Sequence, residues 1–175
     1  MTAASKMEIL LLPHIDAAYN LSRWLMKNEQ DAKDVVQESY IRAFRFFDTW
    51  KGESDAKPWL LKIVRNACYT ALQGNQNRQD SIEYDEDLHG DQQASSDPET
   101  FLLQKFDQVA VRSALESLPT AFREALILFE LEGLSYQEIA EVTGVAAGTV
   151  MSRICRARSK LKELISQKRD AENSI

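Results

Sequence analysis

The chain has 175 residues, 44% of them hydrophobic, and a formal net charge of −6. That composition makes a globular protein, long enough for one medium domain or two small ones, and its longest apolar runs, such as "ILLL" at 9–12, are too short to cross a bilayer. Two distant cysteines (Cys68 and Cys155), two histidines (His14 and His89) and an N-terminus without the order of a secretory signal argue against a disulfide framework, a zinc site, a Ser/His or Cys/His catalytic pair and export. The expectation is a cytoplasmic protein with reduced thiols, no metal, no cofactor and no enzymatic activity.

Sustained period-two alternation is missing and Gly and Pro are sparse, so the fold class is all-α. The first predicted helix is "HIDAAYNLSRWLMK", whose apolar face carries Ile15, Ala18, Tyr19, Leu21, Leu25 and Met26, with Pro13 tolerated in the first turn. The second is "DAKDVVQESYIRAFRFF", with Asp31 as N-cap and Asp34 adding favourable charge near the helix start. Val36, Tyr40, Ala43, Phe44 and Phe47 form its expected buried stripe. Asp34, Glu38, Arg42 and Arg45 lie on another face, with Glu38 and Arg42 spaced for an i,i+4 ion pair. "TWKGESDAK" breaks the pattern as a loop, and Pro58 opens a third helix, "PWLLKIVRNACYTAL". Leu61, Val64, Cys68 and Leu72 turn inward there, and Lys62, Arg65, Asn66 and Tyr69 lie opposite. Trp50 and Trp59 flank the loop. Such aromatics ordinarily fill a core, but beside Lys62, Arg65 and Asn66 they also suit the stacking of unpaired bases.

From Gly74 to Pro98 the chain is polar and acidic. Asp80, Glu83, Asp85, Glu86, Asp87, Asp91, Asp97 and Glu99 stand without a Lys or Arg among them, and the rest of the chain holds 19 acids against 21 bases. Such a segment cannot bury enough surface to offset its ordering entropy and reads as a flexible acidic linker. It divides the chain into two small helical modules, residues 1–74 and 99–175, with 75–98 between them.

The second module predicts helices over "FLLQKFDQVAVRSALESL" and "TAFREALILFELEG", then a helix-turn-helix in "GLSYQEIAEVTGVAAGTVMSRICRARSKL". Ser135 and Glu138 have the spacing of a capping box, and Gly144 supplies the turn. The next helix spaces Val150, Ile154, Ala157, Leu161 and Leu164 as a buried stripe. Thr149, Ser152, Arg153, Arg156 and Lys160 lie on an opposed face, and Arg158 and Lys162 are left to solubility or phosphate attraction. Between Val145 and Arg169 seven bases face one acid, Glu163. In a helix-turn-helix the second helix enters the major groove and its N-terminal residues meet base edges.

With both modules assembled, the chain resembles the extracytoplasmic-function (ECF) sigma factors of bacterial RNA polymerase. "DAKDVVQESYIRAFRFFDTWKGESDAKPWLLKIVRNACYTAL" is similar to their second conserved region, and "SLPTAFREALILFELEGLSYQEIAEVTGVAAGTVMSRICRARSKLKELI" to their fourth. The resemblance implies a subunit that binds core RNA polymerase and directs it to a two-part promoter. It places Asp34, Gln37 and Glu38 on the helix that docks on the polymerase. Trp50, Lys51, Gly52, Ser54, Lys57, Trp59, Lys62, Arg65 and Asn66 would capture the melted minus-ten strand, at a few kcal/mol for the unstacked base. Tyr136, Gln137, Thr149, Met151, Ser152, Arg153, Arg156 and Lys160 would meet the minus-thirty-five element as duplex. The acidic linker would thread towards the polymerase cleft, where negative charge mimics nucleic acid. Met151 stands where the family often has Arg, and it cannot make a bidentate contact to guanine. The resemblance also implies an anti-sigma factor, often tied to the inner membrane, and a monomeric free protein, and with the chain ending soon after Lys168 no added C-terminal domain is expected. The competing reading is a stand-alone helix-turn-helix regulator, which would bind a palindrome tightly without polymerase. A nucleic-acid enzyme would need ordered catalytic carboxylates, and the densest carboxylates here lie in the linker.

Overall fold

The computed structural model describes residues 1–52, 55–76 and 108–174, all of them helices, turns or short connections. The acidic segment falls outside the described residues, apart from its first two, which continue the preceding helix.

The first module opens with α1, Ala3–Leu11, an element the sequence reading did not mark. Thr2 caps it by accepting a hydrogen bond from the Ser5 amide. A 3-10 turn at Leu12–His14, with Pro13 at its start, leads into α2, Ile15–Met26. Ala18, Leu21, Leu25 and Met26 of α2 are buried as expected, but Ile15 is exposed. α2 stops at Lys27, whose φ of 60° is left-handed. α3 spans Glu29–Arg45, and its cap is Asn28, which accepts from the Asp31 amide at 2.9 Å. Asp31 therefore sits inside the first turn, where its charge still favours the helix start. Ala32, Val35, Val36, Ser39, Tyr40 and Ala43 make the buried stripe of α3. Phe44 does not belong to it and is 39% exposed. The Tyr40 hydroxyl donates to the Leu11 carbonyl at 2.7 Å, which ties α1 to α3. Past a 3-10 turn at Phe47–Thr49, α4 runs Ala56–Gln76 and places Pro58 in its first turn. Leu60, Leu61, Val64, Ala67 and Cys68 bury its inner face between α2 and α3.

The second module comprises α5 (Gln108–Ser117), α6 (Thr120–Glu130), α7 (Tyr136–Thr143) and α8 (Ala147–Asn173). α8 is the spine, about 40 Å long at 1.5 Å per residue, and α5, α6 and α7 pack along it. Arg123 is buried and donates from Nη1 to the carbonyls of Glu116 (3.0 Å) and Leu118 (2.9 Å), closing the end of α5. Burial works against the charge of its guanidinium, which sits below its usual pKa.

The two modules touch. α6 packs on α2, and α7 packs on α4. Among the described residues no helix is long and apolar enough to cross a membrane.

Candidate nucleic-acid interface

The helix-turn-helix forms from local chemistry. The Ser135 hydroxyl accepts from the Glu138 amide at 3.1 Å, and the Glu138 carboxylate accepts from the Ser135 amide at 3.0 Å, a complete capping box. Gly144 ends α7 at a φ of 73°, its amide donating to the Ala140 carbonyl. Ile139 and Val142 of α7 and Val150, Ile154, Ala157 and Leu161 of α8 are buried, while Leu164 is partly so. Gln137, Thr149 and Met151 are exposed, with Met151 at 50%. Ser152 is half-buried, its hydroxyl donating to the Gly148 carbonyl. Tyr136 is partly buried and stacked on Phe129, ring centroids 5.1 Å apart. The first turns of α8 thus project Thr149 and Met151 away from the core.

Two arginines depart from the sequence reading. Arg153, expected on the open face, is only 9% exposed. Arg158, expected to serve the surface, is 6% exposed; it pairs with Glu130 and lies over the Phe129 ring. The reason is spacing. Arg153 stands three residues after Val150 and four before Ala157, and Arg158 four after Ile154 and three before Leu161, so both fall on the buried stripe. A guanidinium can occupy such positions when carboxylates and aromatic faces meet it. Arg156 is half-buried, and Lys160 is exposed beside Glu163 at 3.7 Å.

In the first module Phe47 is the centre of an aromatic group. Its ring lies 5.7 Å from that of Trp50 and 6.3 Å from that of Trp59. Both tryptophans are partly buried against the core. Gly52 turns with a left-handed φ of 72°, and an added Cβ there would only reach ordinary contact with the Trp50 ring at 3.9 Å. Lys51 and Gly52 are exposed, as are Lys62 and Asn66 on α4. Ser54 lies outside the described residues. Lys57 and Arg65 are held by the second module. The Lys57 ammonium donates to the Glu132 carbonyl at 2.9 Å and pairs with its carboxylate at 3.4 Å. The Arg65 guanidinium lies 3.8 Å above the Tyr69 ring, and its Nε donates to Glu124 Oε1 at 2.7 Å. The Tyr69 hydroxyl takes the other Glu124 oxygen at 2.8 Å. Burial pushes the Glu124 carboxyl up, opposed in part by Arg65, Tyr69 and Arg153. Burial also opposes the Arg65 charge, but Glu124 and Tyr69 outweigh it and hold that guanidinium above its ordinary range.

On α3, Asp34, Gln37 and Glu38 are all exposed. Gln30 donates to Asp34 at 3.0 Å, and Arg42 pairs with Glu38 at 2.9 Å. Ile41 (47% exposed) and Phe44 (39%) stand four and seven residues after Gln37, on the same face. The sequence reading placed Phe44 in the buried stripe and gave Ile41 no face, whereas their helical spacing from Gln37 puts both on its side of α3. Among the described residues no group of three or more His, Cys, Asp or Glu side chains is placed to hold a metal.

Comparison with known proteins bears on this arrangement. The family model described as Sigma-70 region 2 matches residues 10–78, and that described as Sigma-70, region 4 matches residues 108–161. The ECF RNA polymerase sigma-E factor of Salmonella typhimurium is 39% identical over 137 residues, covering 75% of this chain and 72% of that protein. The sigma-E factor of Haemophilus influenzae is 36% identical over 153 residues, covering 83% and 79%. Among solved structures, the sigma factor RpoE from Bartonella quintana, in complex with the anti-sigma factor NepR, is similar with a TM-score of 0.71 and 28% identity, covering 94% of this chain and 98% of that one. CnrH, solved with the cytosolic domain of CnrY, shares the fold at a TM-score of 0.64 and 24% identity, covering 92% and 88%. With both Sigma-70 regions present in order and this degree of identity to sigma-E factors, the chain belongs to the ECF sigma factors.

Proposed function

We propose that this sigma factor binds core RNA polymerase through α3 and reads a promoter at two separate places, with no chemistry of its own and in the cytoplasm. The docking face is Asp34, Gln37 and Glu38, with Ile41 and Phe44 as the apolar part of the same surface. The minus-thirty-five element is read as duplex by the start of α8, chiefly Thr149, Met151 and Ser152, with Gln137 and Tyr136 from α7 and with Arg156 and Lys160 on the phosphates. The minus-ten element is taken as melted strand around Trp50, Lys51, Gly52, Ser54, Lys57, Trp59, Lys62, Arg65 and Asn66, where stacking on aromatic rings is worth about 1–3 kcal/mol per base. Residues 1–74 serve as the polymerase and minus-ten module, 75–98 as the linker and 99–175 as the minus-thirty-five module. Arg153 reaches DNA only if it leaves its buried position.

The observation that carries this reading is the helix-turn-helix itself: a capping box, a left-handed glycine and an apolar stripe that together aim Thr149 and Met151 outward. A cytosolic anti-sigma factor, anchored to the membrane or not, fits the same reading, as NepR does for RpoE.

The test is selection of a random-sequence promoter library by core polymerase loaded with this protein. Two conserved blocks are expected, about 25 base pairs apart, or about 85 Å at 3.4 Å per base pair. Thr149→Ala with Ser152→Ala should relax the upstream block alone, and Trp59→Ala the downstream block alone. A single palindromic block, selected without polymerase, would instead identify a conventional regulator.

A further inference from the structure

The residues at the start of a groove-entering helix choose bases by what their side chains can offer. Guanine presents only acceptors to the major groove, N7 and O6, and is read by donors from Arg or Lys. The first two turns of α8, residues 147–153, hold one such side chain, Arg153, and it is only 9% exposed. No Lys, Asn or Gln stands in that stretch. Ser152 has a single hydroxyl proton and spends it on the Gly148 carbonyl at 3.2 Å. It is left as an acceptor, which the guanine edge cannot use. The largest side chain that α8 turns outward here is therefore apolar: Met151, 50% exposed.

One exposed methionine is ordinary on a protein surface, so its place on the helix is what counts. A helical side chain leans towards the helix N-terminus, over the preceding turn. For Met151 that turn holds Gly148, which has no side chain, and nothing lies within 4 Å of a Cβ built there. The thioether has open room on the side that meets base edges. Cys155 follows one turn later on the same side, half-buried with a free thiol, and continues a strip of low polarity. The major groove shows one apolar group of its own, the C5-methyl of thymine.

We propose that Met151 reads the C5-methyl of a thymine in the upstream promoter element, so that this position is chosen by apolar contact and not by hydrogen bonds to guanine. This deepens the duplex reading of the minus-thirty-five element and rests on it. Methyl and thioether leave water together, a gain that a base without the methyl cannot give.

The test uses core polymerase loaded with the whole chain, on duplexes carrying the two blocks that the promoter library selects. Thymines of the upstream block are replaced one at a time, on either strand, by uracil, which keeps every hydrogen-bonding group and lacks only the methyl. Binding is read by competition for wild type, Met151→Ala and Met151→Gln, with far-UV circular dichroism as the check on helix content. At one thymine the wild type should lose about fourfold on replacement by uracil, the worth of one buried methylene-sized group. Both variants should bind the thymine and uracil duplexes alike at that position and keep their discrimination elsewhere in the block. If one variant loses helix, the other decides. An upstream block with no thymine whose methyl matters would overturn the inference, and so would a methyl dependence that persists in the folded variants. Either result leaves the two-element reading standing. A library that yields no two-block sequence would end that reading and this inference with it.

Discussion

Arg123, Arg153 and Arg158 show how a charged side chain becomes structural. Each has a spacing that places it on a buried stripe, and each is nine-tenths or more covered. Arg123 closes the C-terminal end of α5, where free carbonyls and the helix dipole both favour a cation. Replacing it with Ala removes two buried, charge-assisted hydrogen bonds and leaves a void. Arg123→Ala should lower stability by about 3 kcal/mol, read as a reduced urea midpoint of the full chain. A loss below about 0.5 kcal/mol would mean that the carbonyls of Glu116 and Leu118 find other donors. Sequence reasoning put Arg153 and Arg158 outside because hydropathy scores a guanidinium as polar wherever it stands. Their partners, Glu124 and Glu130 on α6, lie 28 or more residues away in sequence, so no local pattern announces them.

At the level of elements, legibility followed the range of the interactions. The capping box of Ser135 and Glu138, the turn at Gly144 and the stripe of Val150, Ile154, Ala157 and Leu161 are all set within a few residues, and each was readable. Gly144→Ala tests the turn directly. Nothing lies within 4 Å of an added Cβ there, so the substitution meets only the cost of a left-handed backbone at a φ of 73°, about 1 kcal/mol. A thermal midpoint lower by several degrees is expected, and an unchanged midpoint would mean that the turn adopts another geometry without cost. α1 was missed because "AASKMEILL" carries little amphipathic pattern; it is fixed by the Thr2 cap and by Tyr40 reaching Leu11 from α3. The cap of α3 was placed three residues late because Asn28 and Asp31 are both good N-cap types, and only the observed bond to the Asp31 amide decides between them. Phe44 was assigned to the core by its chemistry, whereas its register groups it with Gln37 and Ile41 on an open face.

At the scale of the whole molecule, an acidic chain carries a basic helix because eight acids are gathered between Asp80 and Glu99 while seven bases stand between Val145 and Arg169. The contact between the modules was not legible. Arg65 and Tyr69 read as an open polar face of α4, and nothing in the local sequence says that Glu124, 59 and 55 residues away, will cover them. In the structure the run from Phe122 to Leu128 is buried throughout and leaves that stretch of α6 no face for water, although Arg123 and Glu124 within it read as polar in the sequence. The central claim is that α3 presents a polymerase-docking surface made of Asp34, Gln37 and Glu38 with Ile41 and Phe44. Its most direct test is capture of bacterial core RNA polymerase by the immobilised protein, run beside a variant with Asp34, Gln37 and Glu38 all replaced by Ala. The account predicts capture by the wild type and a loss of tenfold or more in the variant, about 1.4 kcal/mol or more of binding free energy. Failure of the folded wild type to capture core polymerase would contradict it.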